Sequence, residues 1–456
     1  GYLSYLCDIR HAVLKFAGCR AQHGATLPFL VAGLNYRNAS TELLERVSVN
    51  DRALPDLLLK LQQQLGETLV LSTCNRTEVY TTGDDLDVAR TQLMQVLSDM
   101  TGLSEEEAET VVYVHEGDDA VRHAIRVTCG LDSMVIGEHQ IAGQVQTALR
   151  AAGEAGSVDT PLSRLFHFAL RSSRRIREAT GIGRSRLTVS SIGVQLVERA
   201  IGSLNERRVL LVGAGETGKL AARTLGRMGA GNLTVVGRNA ERTERIANEL
   251  GGDWVLRADL GSALANTDVV ISATAASEVL ITADMVKEAR GDSTESLVML
   301  DLAMPRDIDA SVGEIPGVTL YGLPDLQAIA DEHRAERTDA AAEAETIIDN
   351  DVPRFNESLT ALATEPVIRA LGAHAEEIRL RELQNGLRRL QGLTDEQRSI
   401  IESLTKSVVS KILADPITFL RHGDDDEAVN AVSRLFGLPN PDTELDAEPI
   451  EHVDDR

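Results

Sequence analysis

From Phe29 the chain alternates between short apolar runs and stretches with helical spacing. Phe29 to Leu34 reads as a strand, Ser40 to Leu65 as helix-like, and Thr68 to Leu71 as a second strand that runs into Ser72-Thr73-Cys74-Asn75-Arg76-Thr77-Glu78-Val79-Tyr80. This pattern predicts a small α/β domain. Asp118 or Asp119 can cap a helix running through Val121, His123, Ile125 and Val127; Gly130 ends it, and Leu131 to Ala148 resumes helical spacing. At Arg208 the rhythm changes. A buried-type strand (Val209 to Val212), a glycine turn, a helix and a second strand (Leu233 to Val236) make a βαβ unit, and Asp268 to Ser272 and Leu297 to Leu302 extend it to a doubly wound parallel sheet.

Beyond Pro324 the pattern is helical. Leu326 to Phe355 runs long and charge-rich with Pro353 as a kink near its end, and Pro366 starts further helices that reach Leu420. Apolar residues are too sparse there for a self-contained core, so burial against a second subunit is expected. After Leu438 the tail carries seven acids, the composition of a disordered segment. Residues 1–27 show no clear period and receive no assignment.

A chain of 456 residues exceeds what one hydrophobic core serves, so two or three domains are expected. No apolar run reaches the roughly 18 residues of a membrane span, and a soluble cytoplasmic chain is the expectation. Cys7, Cys19, Cys74 and Cys129 are scattered without metal-ligand spacing, which excludes a disulfide framework or a structural zinc site. The formal charge is −24 and only six of the 46 basic residues are lysine, a balance similar to that of salt-adapted proteins. Such a charge opposes nucleic acid, so any RNA contact must be a local exception. One stretch qualifies: Arg164, Arg171, Arg174, Arg175, Arg177, Arg184 and Arg186 face a single acid, Glu178, although a solvated helix face has the same composition.

Gly213-Ala214-Gly215-Glu216-Thr217-Gly218 stands directly after a strand and before a helix. Its glycines allow the tight turn and the approach of backbone to pyrophosphate, with the helix N-terminus supplying N–H groups. Where an NAD enzyme places an acid for the ribose hydroxyl, this chain has Gly237-Arg238-Asn239, then Arg242. An arginine attracts a 2′-phosphate, so the expected cofactor is NADPH. Cys74 follows a strand end with Asn75 and Arg76 beside it, and a neighbouring cation is expected to lower its thiol pKa for attack on an acyl carbon. A buried structural cysteine is the alternative. His123 is its candidate partner, against the plainer reading of a satisfied or exposed histidine.

Three stretches carry a resemblance. The first runs from Leu71 to Tyr80 around Cys74. The second is Gly130-Leu131-Asp132-Ser133-Met134-Val135-Ile136-Gly137-Glu138, followed by Gln140 and Gly143-Gln144-Val145. The third is Leu300-Asp301-Leu302-Ala303-Met304-Pro305-Arg306-Asp307. Together they resemble the glutamyl-tRNA reductase family over about Val31 to Leu420. The chain departs from the family pattern at His139, often proline, and at Asn35-Tyr36-Arg37, usually Asn-His-Lys.

The resemblance implies a V-shaped homodimer with an N-terminal α/β catalytic domain (28–185), a Rossmann-type NADPH domain (186–323), and a long spinal helix with an all-α dimerisation domain (324–438). It implies NADPH-dependent reduction of glutamyl-tRNA(Glu) to glutamate-1-semialdehyde, with hand-over of the unstable product to glutamate-1-semialdehyde aminotransferase. Cys74 would be the nucleophile, with Thr73, Asn75 and Arg76 near the glutamyl group, and Ser133, Glu138, His139, Gln140 and Gln144 lining the substrate pocket. His123 takes an active-site role, polarising the ester carbonyl or moving protons, and the arginine run becomes a tRNA backbone contact. Two other readings fit parts of the chain: a cysteine-dependent semialdehyde dehydrogenase acting on an acyl phosphate or acyl-CoA, and a non-catalytic NADPH-binding partner of tRNA.

Overall fold

A computed structural model describes residues 29–422, except 51, 84, 184–187, 214, 277, 292, 294, 333–337 and 391–392, together with 432 and 434–436. The elements in chain order are β1 (Phe29–Asn35), α1 (Thr41–Val47), α2 (Leu54–Leu65), β2 (Thr68–Ser72), β3 (Arg76–Thr82), α3 (Leu86–Thr101), α4 (Glu105–Val111), β4 (Tyr113–Glu116), α5 (Gly117–Cys129), α6 (Gln140–Ala155), α7 (Thr160–Thr180) and α8 (Val189–Ile201). They continue with β5 (Arg208–Val212), α9 (Glu216–Arg227), β6 (Asn232–Gly237), α10 (Ala240–Leu250), β7 (Asp253–Leu256), α11 (Leu260–Leu264), β8 (Val269–Ser272), α12 (Ala283–Arg290), β9 (Leu297–Asp301), β10 (Val318–Tyr321), α13 (Leu323–Glu332), α14 (Thr338–Arg389) and α15 (Asp395–His422).

The described residues form two compact units, one ending at Val352 and one beginning at Pro353. The first holds both sheets. Its four-stranded sheet has the order β2-β3-β1-β4 with every neighbouring pair antiparallel. β1 is buried along its whole length, which explains why Phe29 to Leu34 reads as a continuous apolar run. The six-stranded sheet has the order β10-β9-β8-β5-β6-β7, all parallel, with the topological switch between β5 and β8. Both faces are covered, so successive residues of one strand feed different cores. Val209 and Leu211 of β5 join Ile192, Val197, Leu225 and Leu326 on one side. Leu210 and Val212 join Leu260, Leu264 and Val286 on the other.

Several elements differ from the sequence reading. Ser40 to Leu65 is two helices: Ser40 caps α1 through the Leu43 N–H, and α2 starts afresh at Leu54. α5 begins at Gly117, so Asp118 and Asp119 lie inside its first turn and do not cap it. There they complement the positive end of the helix dipole. Residues 131–139 form a loop, buried from 131 to 137, where a resumed helix was expected. Gly130 and Gly137 both have positive φ, and a Cβ on Gly137 would stand 2.2 Å from the Ile182 carbonyl oxygen, so the chain turns tightly before α6 begins at Gln140.

The second unit begins within α14, a helix of 52 residues. Pro353 and Pro366, read as a kink and as a fresh start, both lie inside it. A proline removes one bond of the helical ladder, and the turns on either side carry the helix through. Leu371, Leu413, Leu420 and Val432 form the small core of this unit. Ile400, Leu404, Val408 and Ile412 recur at helical spacing on α15 yet stay exposed. The acidic tail after Leu438 lies outside the described residues.

Candidate active site

Cys74 sits at the tip of the turn between β2 and β3. Thr73 N–H donates to the Arg76 carbonyl at 2.8 Å, and Asn75 N–H to the Thr73 hydroxyl at 3.2 Å, so the turn closes on itself and leaves Cys74 at its apex. From the apex it lines a pocket with Thr73, Asn75, Arg76, Ser133, Glu138, Gln140, Ile141, Gln144, Val189, Thr217 and Leu302. The loop 131–139 supplies Ser133 and Glu138, α6 supplies Gln140 and Gln144, and the parallel-sheet half supplies Thr217 and Leu302. Cys74, Tyr36, Met134 and Val135 pack directly on the core of that sheet.

Behind the cysteine lies a buried charged network. Arg76 is 1% exposed; one Nη donates to Glu78 Oε1 at 2.7 Å and the other to the Asp132 backbone oxygen at 2.5 Å. Glu78, fully buried, also accepts from Tyr80 Oη at 2.7 Å and Tyr113 Oη at 2.5 Å, and pairs with His123 Nε2 at 2.9 Å. Arg37 completes the balance with a 2.5 Å bond to Asp132, and Tyr36 Oη donates to the Ser133 backbone oxygen at 3.4 Å. Burial opposes ionisation of Glu78 more than any single partner favours it, but Arg76, His123 and the hydrogen bonds from His123 and Tyr113 together outweigh it and hold the carboxyl well below its ordinary range.

This network corrects the expectation for the thiol. Burial pushes Cys74 up to about 12, and Glu138 adds to the rise; Arg76 acts the other way and is outweighed. The cation two residues away is already paired with Glu78 and Asp132, so it does not offset the rise that burial causes. Burial likewise holds the Glu138 carboxyl above its ordinary range, against a hydrogen bond to Ser133.

Most of the expected site residues meet in this pocket: Cys74, Thr73, Asn75, Arg76, Ser133, Glu138, Gln140 and Gln144. Two do not. His123 lies in the network behind, stacked on His115 with ring centroids 4.5 Å apart. His139 is exposed, with Nε2 paired to the Gly183 carbonyl at 2.9 Å and Nδ1 to Arg177 at 3.0 Å. Glu78 and Asp132 stand in the quoted motifs, but their roles were missed because their partners come from other elements. The available signal for Glu78 was its spacing of two from Arg76, which sets opposite charges on one face of a strand.

The glycine loop leaves β5 at Gly213 (φ 82°), where a Cβ would stand 2.8 Å from the Ala273 carbonyl oxygen. A Cβ on Gly218 would meet the Gly213 carbonyl oxygen at 2.7 Å. Gly215 caps the N-terminus of α9, and Ser190 Oγ donates to the Thr217 carbonyl at 3.0 Å, fixing the loop to α8. This is a backbone cradle at the switch point of a doubly wound sheet, suited to a pyrophosphate. Ala214 and the side chain of Glu216 lie outside the described residues. Arg238 follows the last residue of β6, exposed, and Asn239 caps α10.

Of the arginine run, Arg164, Arg171 and Arg174 share the exposed face of α7. Arg175 pairs with Asp351, and Arg177 turns inward to the Thr128 and Glu138 carbonyls, so these two serve the fold. Arg184 and Arg186 lie outside the described residues. Among the described residues no helix is long and apolar enough to cross a membrane, and no cluster of metal-ligating side chains occurs.

Fold and site together define a class: an oxidoreductase with a nicotinamide-binding Rossmann half whose glycine loop opens onto a cysteine. Comparison with known proteins gives the family. The glutamyl-tRNAGlu reductase N-terminal domain matches residues 32–180, shikimate/quinate 5-dehydrogenase matches 195–329, and the glutamyl-tRNAGlu reductase dimerisation domain matches 343–438. The chain is 38% identical to the glutamyl-tRNA reductase of Rubrobacter xylanophilus, covering 91% of this chain and 98% of that one. It is 33% identical to that of Bacillus subtilis over 90% and 91% of the two chains. The solved glutamyl-tRNA reductase from Methanopyrus kandleri is 32% identical over 91% of this chain and 100% of its own, with a TM-score of 0.44. The chain belongs to the glutamyl-tRNA reductase family.

Proposed function

We propose that this chain reduces the glutamyl group of glutamyl-tRNA(Glu) to glutamate-1-semialdehyde with NADPH, through a thioester on Cys74. That reaction opens the C5 route to 5-aminolevulinate and the tetrapyrroles. One observation carries the reading: Cys74 and Thr217 of the glycine loop line the same pocket, so an acyl group on sulfur and a nicotinamide can meet.

Cys74 Sγ attacks the carbonyl carbon of the ester between glutamate and the terminal ribose. The bond from that carbon to the ribose oxygen breaks, the thiol proton ends on that oxygen, and the glutamyl thioester remains. Because the free thiol is protonated, a base must accept its proton during attack; Glu138 lines the same pocket and has a raised carboxyl pKa suited to the transfer. Asn75 Oδ1 is buried with no partner among the described residues, an acceptor available to the substrate's ammonium group. His123 acts through Glu78, holding Arg76 in place. A bound reduced nicotinamide supplies hydride to the thioester carbon. The carbon–sulfur bond then breaks, Cys74 recovers a proton from solvent, and the aldehyde leaves.

Gly213, Gly215 and Gly218 fit the cofactor's pyrophosphate, and Arg238, with no acid at the end of β6, favours a 2′-phosphate. Arg164, Arg171 and Arg174 suit the phosphate backbone of tRNA. The exposed Ile400, Leu404, Val408 and Ile412 favour a second copy of this chain as their cover. The reading further implies a cytoplasmic, salt-adapted enzyme and hand-over of the aldehyde to the aminotransferase that consumes it.

The test is single-turnover incubation with radiolabelled glutamyl-tRNA, comparing wild type with Cys74→Ser. Wild type should acquire a thiol-labile label that NADPH discharges as aldehyde, and the variant should acquire none. Aldehyde formed by the variant at the wild-type rate would remove Cys74 from the mechanism.

A further inference from the structure

Apolar packing of Tyr36, Cys74, Met134 and Val135 against the parallel sheet brings the two halves of the pocket together. Apolar contact is non-directional, so by itself it sets proximity without register. Register needs a directional contact, and Arg306 provides one. It stands just past β9, beyond the pocket-lining Leu302, and reaches α1 in the antiparallel-sheet half.

Four bonds make this contact. Arg306 N–H and Nε donate to Glu45 Oε1 at 2.9 and 2.7 Å. One Nη donates to Glu45 Oε2 at 3.0 Å and to Glu42 Oε1 at 3.2 Å. Side-chain exposures of 29% for Arg306 and 18% for Glu45 set this pair apart from a loose surface ion pair. A guanidinium fork on a carboxylate fixes orientation as well as distance. The backbone N–H of Arg306 adds a bond whose donor end does not move when the arginine side chain rotates.

We propose that the Arg306–Glu45 clamp, aided by Glu42, is a positioning device for the reduction step. It holds the β9 edge and the glycine loop in register with the β2–β3 turn, so that an acyl group on Cys74 stands within reach of a nicotinamide. It is not required for the acyl group to arrive on Cys74, because the turn, the loop 131–139 and α6 are built without it. This inference rests on the reductase reading above. A misplacement of about 1 Å between reacting groups can cost roughly a hundredfold in rate, so a contact remote from the chemistry can matter this much.

The experiment uses the full-length protein with Arg306→Ala, Glu45→Ala, and the exchanged pair Glu45→Arg with Arg306→Glu. Three quantities are read: covalent labelling by radiolabelled glutamyl-tRNA without NADPH, the rate at which NADPH discharges the label as aldehyde, and NADPH Kd by fluorescence titration. The single variants should label and bind NADPH as wild type does but discharge about tenfold or more slowly. The exchanged pair should recover much of that loss. Discharge at the wild-type rate overturns the proposal. So does a parallel fall in labelling and discharge, which would mark a general structural role, or an exchanged pair as slow as the singles. If wild type itself acquires no label, the reductase reading fails first and the clamp's role falls with it.

Discussion

The two walls of the Cys74 pocket are built by opposite means. The cysteine wall rests on buried charge, with Arg76 and Arg37 set against Glu78 and Asp132 and three further side chains, Tyr80, Tyr113 and His123, gathered on Glu78. The nucleotide wall is made from what is missing, since Gly213 and Gly218 leave no room for a Cβ against Ala273 and against each other. Charged hydrogen bonds are directional and hold particular side chains in one orientation. Bare backbone presents N–H groups to an anion at short range. A pocket that, on the proposed reading, must both hold a nucleophile and admit a dinucleotide uses each device where its physics suits.

The comparison breaks most sharply at Glu78. Removing one partner of a buried ion pair leaves an uncompensated charge, at a cost of about 3–5 kcal/mol. Glu78→Ala should therefore lower the denaturation midpoint steeply, whereas Glu78→Gln, which keeps hydrogen-bonding atoms near Tyr80 and Tyr113, should cost less. The sign with pH follows from the direction of the shift. The folded-state pKa of Glu78 lies below its unfolded value, so its contribution is complete above the ordinary glutamate range and is lost as pH falls beneath it. Denaturant titrations at pH 7 and pH 3 should show the gap between wild type and Glu78→Gln narrowing at the lower pH. An unchanged gap would mean that the carboxylate is not held by this network.

On the opposite wall a single methyl suffices. Gly213→Ala sets a side chain in a left-handed conformation against Ala273, with a strain of roughly 1–3 kcal/mol, and displaces the N–H groups that meet phosphate. NADPH Kd should rise about tenfold or more. Labelling of Cys74 by glutamyl-tRNA should be unaffected, because the cysteine wall does not depend on this loop. A loss of labelling equal to the loss of NADPH affinity would show that the walls are not separable.

What could be read from sequence divides along the same line. The glycine loop and the Cys74 turn were legible because each is local: a strand, a turn and a helix start lie within one short segment. The cysteine wall was legible as motifs but not as a network, since Arg76, Asp132, His123 and Arg37 come from separate parts of the chain, and strand periodicity gives a face without naming partners. The misreading of Cys74 has this origin. Arg76 is its neighbour in sequence, yet the arginine's charge is spent on Glu78 and Asp132, and burial decides the thiol pKa. His123 was read as a partner of Cys74, whereas the structure places it behind the pocket on Glu78, a position that only the fold reveals. Arg306 and Glu45 lie 261 residues apart, a pairing that no local pattern encodes.

The mildest test concerns Glu138, the pocket carboxylate that acts on Cys74 without touching the buried network. It is the second cause of the raised thiol pKa, after burial. Glu138→Gln removes that charge and leaves the burial, so the thiol should become somewhat more acidic while staying above the ordinary cysteine range. Iodoacetamide alkylation of Cys74, followed by mass spectrometry to separate it from the other cysteines, reads this directly. In wild type the rate should keep climbing beyond pH 10, because the thiol titrates near 12. In Glu138→Gln the climb should begin at lower pH, with alkylation severalfold faster at pH 8. Identical profiles would leave burial as the sole cause, and Glu138 would lose its claim to accept the thiol proton during attack.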